Sequence, residues 1–198
     1  MAAVTEVFSR IYPVLRFLHL VAVVAGFSGA ALMHFGLGRM RTAETADRAL
    51  DGAQIVGRIG PLMPLVSLAL FLTGACLTVA RWSWQVPWIE VAIAGLVTML
   101  VISVALLKPR MAALAPRLVQ AGRARVEGEL AARVQDPVLR AASQLQPFLA
   151  LGIMFVMATK PGLAGGAAAL LVVAMAAVVT AGPRRSPVLG TEALPQAE

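Results

Sequence analysis

The sequence predicts an all-α fold, a polytopic transmembrane bundle of five spans, and three observations carry that expectation. Mean hydropathy is +0.82. Of the 198 residues, 59% are hydrophobic and only 14% charged, where soluble domains carry roughly 25% charged residues. The apolar residues also fall in five long runs broken at short charged intervals. No soluble stretch is long enough to build a second core. The chain therefore reads as one transmembrane domain over 1–182, a four-helix core plus a fifth helix. A tail over 183–198, rich in Pro, Gly and Glu with few aromatics, is expected to be disordered.

Crossing a hydrocarbon core of roughly 30 Å takes about 20 apolar residues. The first run supplies them over 12–37. It is much longer than the roughly 7 to 15 residues of a signal h-region and follows no basic cluster, so a retained helix is expected. The second span, 59–80, begins around Pro61 and Pro64, which disturb its opening turn. Trp82, Trp84 and Trp88 gather before the third span, 88–107, where indole rings favour the headgroup level.

Residues 108–138 form the most polar interval. Met111, Leu114, Leu118, Val126, Leu130 and Val134 recur among arginines at mostly three- or four-residue spacing, the pattern of an amphipathic helix or helical pair lying on the membrane with its apolar face to lipid. Glu127 with Arg123 and Glu129 with Arg133 stand at a helical four-residue offset. Two spans follow, 139–158 and 163–181. A single helix over 147–181 would be about 50 Å long, and Thr159-Lys160-Pro161-Gly162 interrupts it with a charge and a proline.

Charge gives the orientation. With five spans, thirteen of the seventeen Lys and Arg fall on one side and four (Arg10, Arg16, Arg81 and Lys160) on the other. The positive-inside rule then puts the N-terminus outside and the C-terminus in the cytoplasm, and four spans would move Arg184 and Arg185 to the sparse side. The net charge of +7 suits anionic lipid headgroups beside the spans. Nucleic acid is not an expected partner, since no soluble element is available to enter a groove. Small residues at four-residue spacing (Ala22, Gly26 and Ala30, then Gly162 and Gly166) suit close helix contacts, within the chain or in a homodimer or larger membrane complex. Cys76 is alone, so neither an intramolecular disulfide nor a thiol-pair metal site is available.

Ionisable groups inside a membrane are costly and are candidates for function. His19 lies about two turns into the first span, where a neutral imidazole can coordinate a metal or haem iron or hydrogen-bond a neighbouring helix. His34 stands fifteen residues on, roughly 22 Å along and about 60° around the axis. That separation resembles the histidine pairs of two-haem cytochromes b. Holding two haems this way needs a symmetric dimer, or methionine as the opposite ligand. Met33, Met63, Met99, Met154 and Met157 could supply thioethers to haem or Cu(I), or simply fill space. Arg16 and Glu90 share the outer surface and are expected to pair or to face a shallow vestibule, with Arg81 as the alternative partner. Phosphate-binding loops, nucleophile triads and zinc-protease motifs are absent.

Arg16-Phe17-Leu18-His19, Gly26 with Gly29, Leu72-Thr73-Gly74, Lys108-Pro109 and Met157-Ala158-Thr159-Lys160-Pro161-Gly162 together resemble a bacterial family of integral membrane proteins without an assigned activity. That family is itself similar to the CopD copper-resistance membrane domain and the HemJ-type protoporphyrinogen oxidases. The resemblance covers about three quarters of the chain. It implies a multi-pass protein of the bacterial inner membrane, with His19 at the position of an expected haem b or porphyrin contact. Three functions stay open on this reading: a non-catalytic membrane subunit or scaffold, a haem- or porphyrin-linked redox protein centred on His19, and a small-solute or copper transporter.

Overall fold

The structure is a computed structural model that describes residues 6 and 10–181; the tail with Arg184 and Arg185 lies outside the described residues. In order come α1 (Tyr12–Thr42), α2 (Ala46–Ile59), a single 3₁₀ turn (Gly60–Leu62) and α3 (Met63–Arg81). Then follow α4 (Pro87–Val101), a π-helical segment (Ile102–Leu107), α5 (Lys108–Ala121), α6 (Gly128–Val134), α7 (Pro137–Thr159) and α8 (Leu163–Ala181). Five continuous stretches of helix are long and apolar enough to cross a membrane, and no strand occurs among the described residues. The protein is a multi-pass helical membrane protein. The turn expected around Pro61 and Pro64 is the 3₁₀ turn between α2 and α3.

Two groups of helices make the bundle. α1 packs on α2 and α3, while α7 packs on α8 and α4. They join at the end that carries most of the arginines. There Leu37 and Met40 of α1, Ala46, Ala49, Ala53 and Val56 of α2, Leu114 and Leu118 of α5, Val134 of α6, and Leu139 and Ala142 of α7 form one continuous buried core. Along the spans, Phe17, Leu65, Phe71, Val104, Phe155 and Val178 are exposed, as helices that present apolar side chains to lipid require.

Several expected boundaries move. α2 falls in the interval read from sequence as a polar connection. Its alanines and Val56 recur at three- and four-residue spacing on a face small enough to escape notice beside the long apolar runs. The helix of the third span does not end at Lys108-Pro109. A proline clashes with the carbonyl four residues back; the π turn ahead of it widens the register, Lys108 N–H bonds Ser103 O five residues back, and the helix runs on to Ala121. The 108–138 segment is indeed a helical pair, but Leu114, Leu118 and Val134 point into the protein core rather than into lipid. Glu129 pairs with Arg133 as expected and also with Arg117, both at 2.9 Å. Glu127 approaches Arg125 at 3.9 Å instead of Arg123, because it precedes the first turn of α6 and the helical offset does not apply.

The closest approach in the fold is the crossing of α1 and α2. A Cβ at Gly52 would sit 2.5 Å from the Gly36 carbonyl oxygen and 2.6 Å from the Met40 nitrogen, backbone atoms that have no rotamer to change. Further along, Gly26 faces Val66 and Gly166 faces Val91, so part of the small-residue faces read from sequence is used inside the chain, while Gly162 meets nothing within 4 Å. Gly52→Val is expected to lower stability by about 3 kcal/mol or more through forced separation of α1 and α2. Gly38→Ala, in a helix with nothing nearby, should raise it by roughly 0.5–1 kcal/mol; denaturation of the two variants in mixed micelles measures both effects.

Candidate functional site

Most hydroxyls within the apolar helices turn back on their own backbone. Thr78 donates to Gly74 O at 2.9 Å, Thr98 to Ala94 O at 2.8 Å and Thr180 to Ala176 O at 2.9 Å. His19 and Gln146 instead reach across to a neighbouring helix. In lipid, such polar contacts between helices are where a ligand or a proton would be handled.

His19 occupies the α1–α3 seam. Counting along α1, His19, Ala22, Gly26 and Gly29 recur every three or four residues and share one face. Ala22 is buried, Gly26 lies against Val66, and the Met63 thioether fills the notch at Gly29. This close seam holds the half-buried His19 ring beside α3, where Nδ1 is 2.9 Å from Thr73 Oγ1. The Thr73 hydroxyl donates its own proton to Ala69 O at 2.6 Å. Its oxygen is therefore the acceptor, Nδ1–H is the donor, and Nε2 keeps its lone pair. Gly74 completes the setting: a Cβ there would stand 3.5 Å from the ring Cε1.

The second polar crossing lies at the π segment. Gln146 of α7 donates through Nε2 to Met99 O at 2.9 Å and to Ser103 Oγ at 2.6 Å, while Ser103 donates to Met99 O at 2.9 Å. Gln146 thereby ties α7 to the carbonyl just ahead of the π segment, which also accepts from Ile102 N. Nothing in the sequence pairs residue 146 with residues 99 and 103, although a glutamine in an apolar run was a signal in itself.

The other sequence candidates do not join His19. His34 is exposed on α1 and makes no hydrogen bond or ion pair. Arg16 and Glu90 are both exposed, and neither Arg16 nor Arg81 comes within 4.0 Å of Glu90. Arg81 lies over the Tyr12 ring at 5.8 Å, a cation–π contact that ties the end of α3 to the start of α1. Glu90 sits in the first turn of α4, where the helix dipole favours a carboxylate. At the same end Trp82 and Trp88 meet edge to face at 5.3 Å, with the Lys160 ammonium 4.6 Å from the Trp82 ring centroid. Lys160 takes a left-handed conformation, φ 51°, to end α7 there. Trp82 and Trp88 thus brace one another and Lys160, while Trp84 is exposed beside them.

No protein-family model, no curated protein and no solved structure matches the chain. The site must be judged on its own atoms. Among the described residues no three of His, Cys, Asp and Glu gather as a metal site, and Cys76 of α3 is a free thiol. The residues present offer one ring nitrogen, Nε2 of His19, with a hydrogen bond on the opposite ring nitrogen, the usual arrangement in a ligating histidine. His34, fifteen residues along the same helix, is too far away to share a ligand with it.

Thr73 is the residue that sequence reading passed over as a site, although it sits in one of the quoted motifs. Thr73→Val leaves Nδ1–H without this acceptor and is expected to lower stability by about 1–2 kcal/mol, whereas Thr73→Ser should preserve it. Unfolding midpoints of both variants in one detergent, together with ¹⁵N NMR of the imidazole tautomer, measure the two effects.

Proposed function

We propose that this chain is a polytopic protein of the bacterial inner membrane whose α1–α3 seam would hold a haem-type tetrapyrrole through His19. The hydrogen bond from His19 to Thr73 supports this reading most directly, because it orients the ring and leaves the Nε2 lone pair available. A haem held there would carry single electrons. The residues' own contribution is narrower: Thr73 sets the tautomer, Gly74 lets the ring lie against α3, and the apolar helix faces keep bulk water away. The distribution of Lys and Arg supports an N-terminus outside and a C-terminus in the cytoplasm, with anionic lipids around the basic end.

A second reading is favoured by Gly74. Even a Cβ at that position would stand in ordinary van der Waals contact with the ring, 3.5 Å from Cε1, which is also how a purely structural imidazole would be seated. On that reading the chain is a non-catalytic membrane subunit, and His19 serves only to tie α1 to α3.

A dithionite-reduced minus air-oxidised spectrum of the protein purified in mild detergent separates the two. The redox reading predicts stoichiometric Soret and α bands that disappear in His19→Ala and persist in His34→Ala. A featureless spectrum from protein shown to be folded, together with a lowered unfolding midpoint in His19→Ala, would contradict it and leave the subunit reading.

A further inference from the structure

Arg41, in the last turn of α1, is turned inward rather than out to water. Its Nη2 donates to Ser143 Oγ of α7 at 3.0 Å. Its Nε is enclosed and has no hydrogen-bond partner among the described residues. Its backbone carbonyl is held by Gln135 Nε2 at 2.7 Å, which fixes the end of α1 from which the side chain departs.

Among the described residues no carboxylate forms an ion pair with it. The acid whose charge reaches Arg41 is Asp136, and both of its oxygens are already used. Oδ1 caps α7 by accepting from Val138 N at 2.7 Å and Leu139 N at 3.2 Å, and Oδ2 accepts from Arg110 Nε at 3.1 Å. A second guanidinium makes matters worse: Arg140 stands one turn before Ser143 in α7, and its positive charge also acts on Arg41. The Ser143 hydroxyl donates to Arg140 O at 2.9 Å, so its oxygen can only accept from Arg41. His34, two turns back on α1, adds no negative charge.

Two like charges, one of them half-buried and neither in an ion pair among the described residues, are a costly arrangement unless an anion lies beside them. The position narrows the choice. Arg41 lies four residues beyond Leu37, where the apolar run ends, hence about 6 Å further along the helix, at the depth of headgroup phosphates. The guanidinium fork matches two oxygens of a tetrahedral oxyanion better than it matches a spherical ion, and the bond to Ser143 fixes the plane of that fork.

We infer that Arg41 and Arg140 together bind a phosphate-type oxyanion at the basic end of the bundle. Its source is the phosphate of an anionic phospholipid headgroup or a soluble phosphate. The site is separate from the His19 seam and does not depend on any cofactor there.

The test is the unfolding midpoint of the full chain in mild detergent with phosphatidylcholine alone, with phosphatidylglycerol added, or with inorganic phosphate added. Near saturation, the bound anion should raise the midpoint by about 5 °C. A rise with phosphatidylglycerol but not with inorganic phosphate identifies the headgroup; a rise with inorganic phosphate identifies a soluble anion, and both sustain the site. Arg41→Gln and Arg140→Gln should each lose the rise. Arg125→Gln, at a side chain 79% exposed, should keep it. No rise with either anion, or an equal rise in Arg41→Gln, overturns the inference. Should Arg41→Gln fail to fold, Arg140→Gln decides alone, and an undiminished rise in that variant overturns it.

Discussion

Hydrocarbon offers no hydrogen bonds, and the arrangement of this chain follows from that constraint. A backbone in lipid must satisfy itself, so the spans are helical throughout. Threonine and serine hydroxyls bond back to carbonyls one turn away, as Thr98 and Thr180 do. Apolar burial cannot drive association where the surroundings are as apolar as leucine. The helices are therefore joined in two other ways: by backbone-close crossings such as Gly36 with Gly52, and by a core placed at the basic end, where α2, α5 and α6 meet water and the hydrophobic effect regains its force.

The same constraint gives His19 its meaning. A polar ring inside the bundle must find a partner, and Thr73 supplies it from the facing helix. Because the threonine proton is already committed to Ala69 O, the contact also decides which ring nitrogen is left to act. Gln146 performs a comparable service for the π segment, but an amide has no ligand chemistry to offer iron. The arrangement at Arg41 is the reverse case. It is a charged group at the basic end that no carboxylate among the described residues pairs, and the inference of a bound oxyanion rests on that difference.

The five spans were readable from sequence because each depends on one quantity, apolar length, that a single stretch of chain displays. α2 was not, since its core face is built from Ala46, Ala49 and Ala53, residues too small to mark an amphipathic period by eye. The continuation through Pro109 was hidden for another reason: proline usually ends a helix, and the π turn that accommodates it has no sequence signature. His19 stood out as an ionisable group in an apolar run. Its partner did not, because Thr73 is fifty-four positions away and single sequences carry no register between helices. Glu90 failed to pair for a related reason. Depth along the membrane says which groups share a level, not which helices are neighbours.

The account stands on five spans that gather the basic interval, α2, α5 and α6 on one side of the membrane and the tryptophan turn on the other. Single cysteines at Glu44, Arg125, Gln85 and Gly162, introduced into Cys76→Ala and treated with a membrane-impermeant maleimide in sealed vesicles, test it directly. Glu44→Cys and Arg125→Cys should react from the same side, and Gln85→Cys with Gly162→Cys only from the opposite one. Labelling of Gly162→Cys together with Glu44→Cys would contradict the five-span arrangement.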